Sequence, residues 1–273
     1  MKADLDYATA SPLTSLLDVS PAALAEIAAH PLGICEPVHS LVIHPHEAED
    51  LGLSPDRFAS NGIRPAAAIV AALLALDPAP LHVPREPAGR VVGTCRHFAV
   101  LSCALLRHRG IAARVRCGFA TYFQPGLSLD HWIVEYFGGD DRWVRVDAQV
   151  LGQSVLERPE DLPPGAFLSG GEAWTAYRAG LVDAATFGVY RTENFGPAEI
   201  RGNAVRDLAA LNKVETLPWD EWGRMTDSYR GVAGAEYDEL IDTVAAVCAT
   251  GEPDAVAALY ARDELRVPAG LSC

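Results

Sequence analysis

The chain has 273 residues, 49% hydrophobic and 21% charged, enough to bury a full core in one large domain. Its formal charge of −14 argues against binding nucleic acid, whose phosphates need concentrated positive charge. The opening MKADLDYATA lacks an apolar signal-peptide core, and the most apolar early stretch, 65–76, is too short to span a bilayer; a cytoplasmic protein with no membrane partner is expected.

In chain order, Ser20-Pro21 opens PAALAEIAAH, where serine can cap and proline can occupy the first turn of a helix. Arg64-Pro65 leads into AAAIVAALLAL, a second apolar helix, and the proline-rich run 78–93 reads as an extended connector. Thr94 to Arg109 is helical, with Gly110 placed to end it. Ala113 to Phe123 alternates like a strand, HWIVEYF forms a second, Gly138-Gly139-Asp140 a hairpin turn, and RWVRVDA a third strand. From about Glu172 the spacing turns helical again through AWTAYRAG, GNAVRDLAALNKVE and YDELIDTVAAVCAT, with Trp174, Trp219 and Trp222 as anchors against the sheet. The expected fold class is α+β: a helix on an antiparallel sheet, with N- and C-terminal helical extensions. One domain is expected over 1–273, made of a helical part (1–90), a central core (91–150) and a mainly helical part (151–273).

The six cysteines form no CxxC pair and read as free thiols. Cys95 differs from the others because it opens a strongly apolar helix. There, unpaired backbone N–H groups and the helix dipole favour thiolate, and the same N–H groups can stabilise an oxyanion. Cys103, two turns on, and Cys117, mid-strand, read as structural. A nucleophilic thiol needs a base, and the base an orienting acceptor. His131 lies early in the second strand and Asp147 at the end of the third. Their midpoint is residue 139, so a hairpin about Gly139 pairs them, with Cβ atoms roughly 4.5–5.5 Å apart.

The ordered set Gly93-Thr94-Cys95-Arg96-His97-Phe98-Ala99, the strand 112–119, Asp130-His131-Trp132 and Trp143-Val144-Arg145-Val146-Asp147-Ala148 resembles the transglutaminase-like superfamily, which has a papain-like core. The flanks at 57–61 and 201–223 are similar to a bacterial subgroup of stand-alone transglutaminase-like proteins. The resemblance implies Cys95 as nucleophile, His131 as base and acid, and Asp147 as orienter. It implies an acyltransferase or hydrolase acting on a peptide, amide or acyl-thioester substrate. An amide-forming biosynthetic enzyme using a carrier-bound acyl thioester, and a non-catalytic scaffold on the same fold, are the competing readings. The second oxyanion donor, often a Trp or Gln upstream in the family, has no clear counterpart, and Asn61 and Gln149 are the candidates.

No cofactor or metal is expected: His44 and His46, with Glu47 and Glu49, lack a third distant ligand and read as a polar surface loop. His97 lies two residues past Cys95, roughly 200° around a helix, and reads as a packing residue rather than the base. Arg96 is weighed as a pocket-lining or surface residue. Arg201 and Asn203 are weighed as residues reaching the site from the C-terminal part. The oligomeric state is not legible.

Overall fold

The computed structural model describes residues 5–271; the first four residues of the opening stretch and the sixth cysteine, Cys273, lie outside the described residues. The chain divides into two compact units, one built from Tyr7–Arg114 and Ile133–Leu162, the other from Val115–Trp132 and the chain from Pro163 onward.

The first unit opens with a correction. The stretch 21–30 forms turns, not a helix. Its backbone closes tight bonds from Ala23 N–H to Ser20 C=O and from Ala25 N–H to Ala22 C=O, and Glu26 then takes φ +60°, which no helix continues. Ten residues make a marginal helix alone, and here the turns bury Ala23, Leu24 and Ile27 instead. Helix α1 (Pro31–Cys35) follows, then strand β1 (Val42–Ile43), helix α2 (Pro45–Asp50), a 3-10 stretch Pro55–Gly62 and helix α3 (Ala66–Leu76). Helix α3 has the bounds read from the sequence, with Pro65 at its N-cap. The connector holds strand β2 (Val91–Val92), parallel to β1 with Val42 opposite Val91, and β2 delivers the chain into helix α4 (Cys95–His108). Every residue of α4 from Cys95 to Arg107 is buried. Burial of Phe98, Leu101, Leu105 and Leu106 contributes about 1.5–3 kcal/mol each. At its far end Arg107 donates from Nε to the Ala113 carbonyl (2.9 Å), a cation where the helix dipole favours one. Gly110 then takes φ +72° and the helix stops.

Strands β3 (Ala113–Ala120) and β4 (Ser128–Phe137) run from one unit into the other, and β5 (Trp143–Val146) pairs antiparallel with β4. The β4–β5 register is Val134↔Val146, Glu135↔Arg145, Tyr136↔Val144 and Phe137↔Trp143. The hairpin is therefore centred on Asp140 rather than Gly139. Gly138 N–H bonds to Arg142 C=O (2.8 Å) around a three-residue loop whose left-handed residue is Asp141, φ +56°. Extending that register sets Asp147 opposite Ile133, so the direct 131–147 pairing expected from the sequence does not hold.

In the second unit, β3 pairs antiparallel with β6 (Phe167–Ser169), which runs into helix α5 (Gly170–Arg178); β7 (Phe187–Gly188) pairs parallel with β4. Helices α6 (Pro197–Leu211), α7 (Met225–Tyr229), α8 (Ala235–Thr250) and α9 (Pro253–Tyr260) follow, with α5, α6 and α8 packed on one another. Ser169 and Glu172 form a reciprocal capping box at the start of α5. Trp174 is fully buried and donates from Nε1 to Asp242 (2.7 Å), and buried Trp222 donates to the Leu265 carbonyl (2.9 Å). Trp219 is no anchor: it is 51% exposed, in the turn after Pro218. The fold is α+β, its larger sheet mainly antiparallel. Among the described residues no helix is long and apolar enough to cross a membrane.

Candidate active site

Cys95 is the first residue of α4, and its N-cap, Thr94, makes no side-chain cap bond. The first-turn amides therefore receive no oxygen from the capping side chain, the setting in which a helix start favours a thiolate. The bend into the helix is tight: a Cβ on Gly93 would lie 2.5 Å from the His97 ring. His97 is fully buried, and burial first, then Arg96, pulls its pKa down to about 3. It is neutral at any working pH and packs under the turn, as its position in the sequence suggested. Of the two readings weighed for Arg96, pocket-lining and surface, the structure excludes the second. Arg96 is fully buried and donates from Nη1 to the Ile63 carbonyl (3.1 Å).

That bond belongs to a set that fastens the stretch 57–63 beside the nucleophile's helix. Arg57 donates to the carbonyls of Ala88 (2.9 Å) and Arg90 (2.6 Å), and Ser60 Oγ to that of Val92 (2.8 Å). Asn61 sits between Ser60, tied just before Cys95, and Ile63, tied just after it. Its side-chain Oδ1 is buried without a hydrogen-bond partner. Buried amides rarely stay unsatisfied, and those that do are often held for a ligand or an intermediate.

Asp147 is fully buried in the turn after β5. Its backbone N–H bonds to Pro159 C=O (2.9 Å), and its Oδ1 accepts from Gln149 N–H (3.0 Å), which fixes the carboxylate's direction. The Gln149 carbonyl accepts from His39 Nδ1 (2.7 Å), so His39 carries its proton there. Gln149 Oε1 is likewise buried without a partner. His39 also lines a cleft of about 490 Å³ with Leu32, Glu36, His82, Pro84 and Leu151.

His131 belongs to the second unit, buried in β4. Alternation along β4 sends it to the same face of that strand as Ile133. The ring is flanked by two half-buried aromatics from the turn after β3, Phe123 at 4.9 Å between centroids and Tyr122 at 6.2 Å, both edge-on. The preceding residue, Asp130, accepts from Asn203 Nδ2 (2.8 Å), a contact that α6 makes across 73 residues. Arg201 takes another route, pairing with Asp238 (2.8 Å) and lying over Trp174.

The remaining sequence candidates are structural. His44 caps α2, accepting from His46 N–H (3.4 Å). Among the described residues no group of three or more His, Cys, Asp or Glu is arranged to hold a metal ion. Cys103 and Cys117 are buried, as read, and the five described cysteines are free thiols. The buried ion pairs of the β3 arginines were not legible in the sequence. Arg114 pairs with Glu135 (2.6 Å) and stacks on Trp143 (3.9 Å to the ring centroid), and Arg116 pairs with Asp207 (2.7 Å).

Compared with known families, residues 81–148 match the model of the transglutaminase-like superfamily. This segment is similar to a transglutaminase-like core. It contains Cys95, His131 and Asp147, while Asn61 and Gln149 fall outside it. The match supports cysteine-dependent catalysis in general terms. Among solved structures, the chain is similar to a "Putative Cysteine Protease from Cytophaga hutchinsonii", with 21% identity and a TM-score of 0.35, over 52% of this chain and 40% of that one. The chain thus spans well under half the length of that protein. No curated protein matches.

Proposed function

We propose that the chain is a cysteine acyltransferase or hydrolase in which Cys95, His131 and Asp147 act as nucleophile, base and orienter. The observation that carries this reading is the transglutaminase-like core that includes all three in order, with the cysteine opening a fully buried helix. The same-face alternation of His131 and Ile133, the residue in register with Asp147, supports it.

In this reading His131 takes the proton of the Cys95 thiol, and Sγ attacks the carbonyl carbon of an amide, ester or thioester. The C=O π pair moves onto oxygen and returns as the bond to the leaving group breaks, with His131 passing its proton to that group. Water or an amine then attacks the acyl-enzyme, gives a proton to His131 and frees the thiolate, which recovers it. Asp147 holds the imidazole in the tautomer that both steps need. The first-turn amides of α4 supply one oxyanion donor, and Asn61, placed beside the start of α4, supplies the second through Nδ2, since its orphaned Oδ1 can only accept.

The test is intact-mass detection of an acyl adduct after exposure to peptide, amide and acyl-thioester donors. The adduct is expected on Cys95 and lost in Cys95→Ala; an adduct that persists in Cys95→Ala would sink the proposal. For Asn61→Ala, kcat is expected to fall roughly 10²–10³-fold with a smaller change in KM. An equal fall in Gln149→Ala with Asn61→Ala unaffected would reverse that assignment.

A further inference from the structure

The densest buried polar network outside the proposed triad lies in the second unit, in the RGN stretch of α6. Asn203 is fully buried, and its amide is used completely. Nδ2 donates to Asp130 Oδ1 (2.8 Å) and to the Gly118 carbonyl (3.1 Å), and Oδ1 accepts from Arg206 Nη1 (3.1 Å). Because arginine only donates, the amide has one possible orientation. Arg206 also donates to the Tyr229 hydroxyl (3.1 Å) and to the Asp220 carbonyl (3.1 Å), and Tyr229 donates to Glu199 Oε2 (3.0 Å). The surrounding glycines are shaped to this chain of contacts. A Cβ on Gly202 would lie 2.4 Å from the Tyr229 hydroxyl, and one on Gly170 would lie 2.2 Å from the Asn203 backbone.

Gly118 is on β3 and Asp130 on β4, so a single side chain ties both strands together. Asp130 and His131 are consecutive, and consecutive strand residues project to opposite faces. The tie therefore grips β4 from behind, one residue from the proposed base. We propose that Asn203 is a positioning residue for His131: through Asp130 and Gly118 it holds the strand that aims the imidazole, and it keeps a carboxylate beside the imidazolium. This rests on the triad reading above.

The titratable and charged groups that couple to Asp130 or His131, or share this network, come from several elements. From α6 come Glu199, Asn203, Arg206 and Asp207, the last spent on Arg116 and on Cys117 N–H (3.0 Å). From α7 comes Tyr229, from β3 Arg116 and Cys117, and from the turn after β3 Tyr122 and Phe123. Burial pushes Asp130 up from the ordinary carboxylate value, while Arg206, the Asn203 hydrogen bond and His131 oppose that push. Removing the Asn203 amide weakens the anion and with it the imidazolium, so a thiolate paired with that imidazolium forms at higher pH.

The experiment measures the pH midpoint of Cys95 alkylation by iodoacetamide, read by intact mass, on the full chain. Wild type is expected to show a midpoint below that of an ordinary thiol, and Asn203→Ala a midpoint raised by about one pH unit, which is roughly tenfold slower labelling below both midpoints. Trp174→Phe, which loses a bond between α5 and α8, is expected to lower the melting temperature and leave the midpoint in place. Should Asn203→Ala not fold, Asp130→Asn keeps the shape, removes the charge and is expected to raise the midpoint in the same direction. A folded Asn203→Ala, or Asp130→Asn in its place, with an unmoved midpoint beside a lowered wild-type one overturns this inference alone. A wild-type midpoint at the ordinary thiol value removes the triad reading and this inference with it.

Discussion

Around Cys95 the polar side chains, Arg96 buried and Ser60 and Arg57 half-buried, are tied to backbone carbonyls: Arg96 to Ile63, Ser60 to Val92, Arg57 to Ala88 and Arg90. Around His131 they are tied mainly to one another, in the run Glu199, Tyr229, Arg206, Asn203, Asp130. Carbonyls do not titrate, so the first region keeps its bonds at any moderate pH. In the second region a proton added or lost at one group is felt along the run. The contrast assigns rigidity to the proposed nucleophile and electrostatic sensitivity to the proposed base.

The widest separation between the regions is expected in stability against pH, where His97 in the first and Glu199 in the second are shifted with opposite sign. His97 has its pKa lowered from 6.5 to about 3, chiefly by burial. Its contribution is whole above pH 6.5 and is lost as pH falls toward 3, by about 5 kcal/mol in all. Glu199 has its pKa raised from 4.5 to about 7, again chiefly by burial. Its contribution is whole below pH 4.5 and is lost as pH rises through 7, by about 3 kcal/mol. Denaturant titrations at a series of pH values should show Glu199→Gln gaining on wild type between pH 4.5 and 7, and His97→Gln flattening the acid limb. Parallel pH profiles for both variants and wild type would erase the contrast.

Steric tolerance should differ next. At Gly93 an added methyl meets a buried side chain near its root, His97 Cγ at 2.5 Å and Cβ at 2.8 Å; at Gly170 it meets backbone, the Asn203 carbonyl carbon at 2.2 Å. A side chain yields more than backbone does, so Gly93→Ala is expected to cost about 1–3 kcal/mol and Gly170→Ala more, by chemical denaturation. The smallest effect belongs to the hairpin tip. Arg142 bonds Asp140 and Asp161 at the surface, and Arg142→Ala is expected to lower the denaturation midpoint only slightly, by an amount that shrinks further in salt. A larger, salt-independent loss would mean that the tip carries more of the fold than its exposure suggests.

The elements that were legible in the sequence are those whose signal is local. Helix α3 follows from Arg64-Pro65 and an unbroken apolar run, α4 from an apolar stretch closed by Gly110, and β4 from alternation between two turns. The stretch 21–30 was misread because a short alanine-rich pattern suits turns as well as a helix, and only packing of Leu24 and Ile27 decides. The hairpin register moved by two residues because Asp141, not a glycine, takes the left-handed position, an option that Gly138-Gly139 concealed. Of the candidate site, the helix-start cysteine could be read from its neighbours. The orphaned Oδ1 of Asn61 and the Asn203–Asp130 bond could not, since both depend on segments far apart in the chain.

Burial of the cysteines has a practical consequence. Cys35, Cys103, Cys117 and Cys248 are at most 1% exposed, and burial pushes the Cys35 thiol up to about 12, whereas Cys95 keeps 6%. In the native protein these four are silent toward an electrophile, and each becomes reactive only when its surroundings open. Tags acquired on these four in a brief pulse therefore count open molecules, so the protein carries its own clock for unfolding.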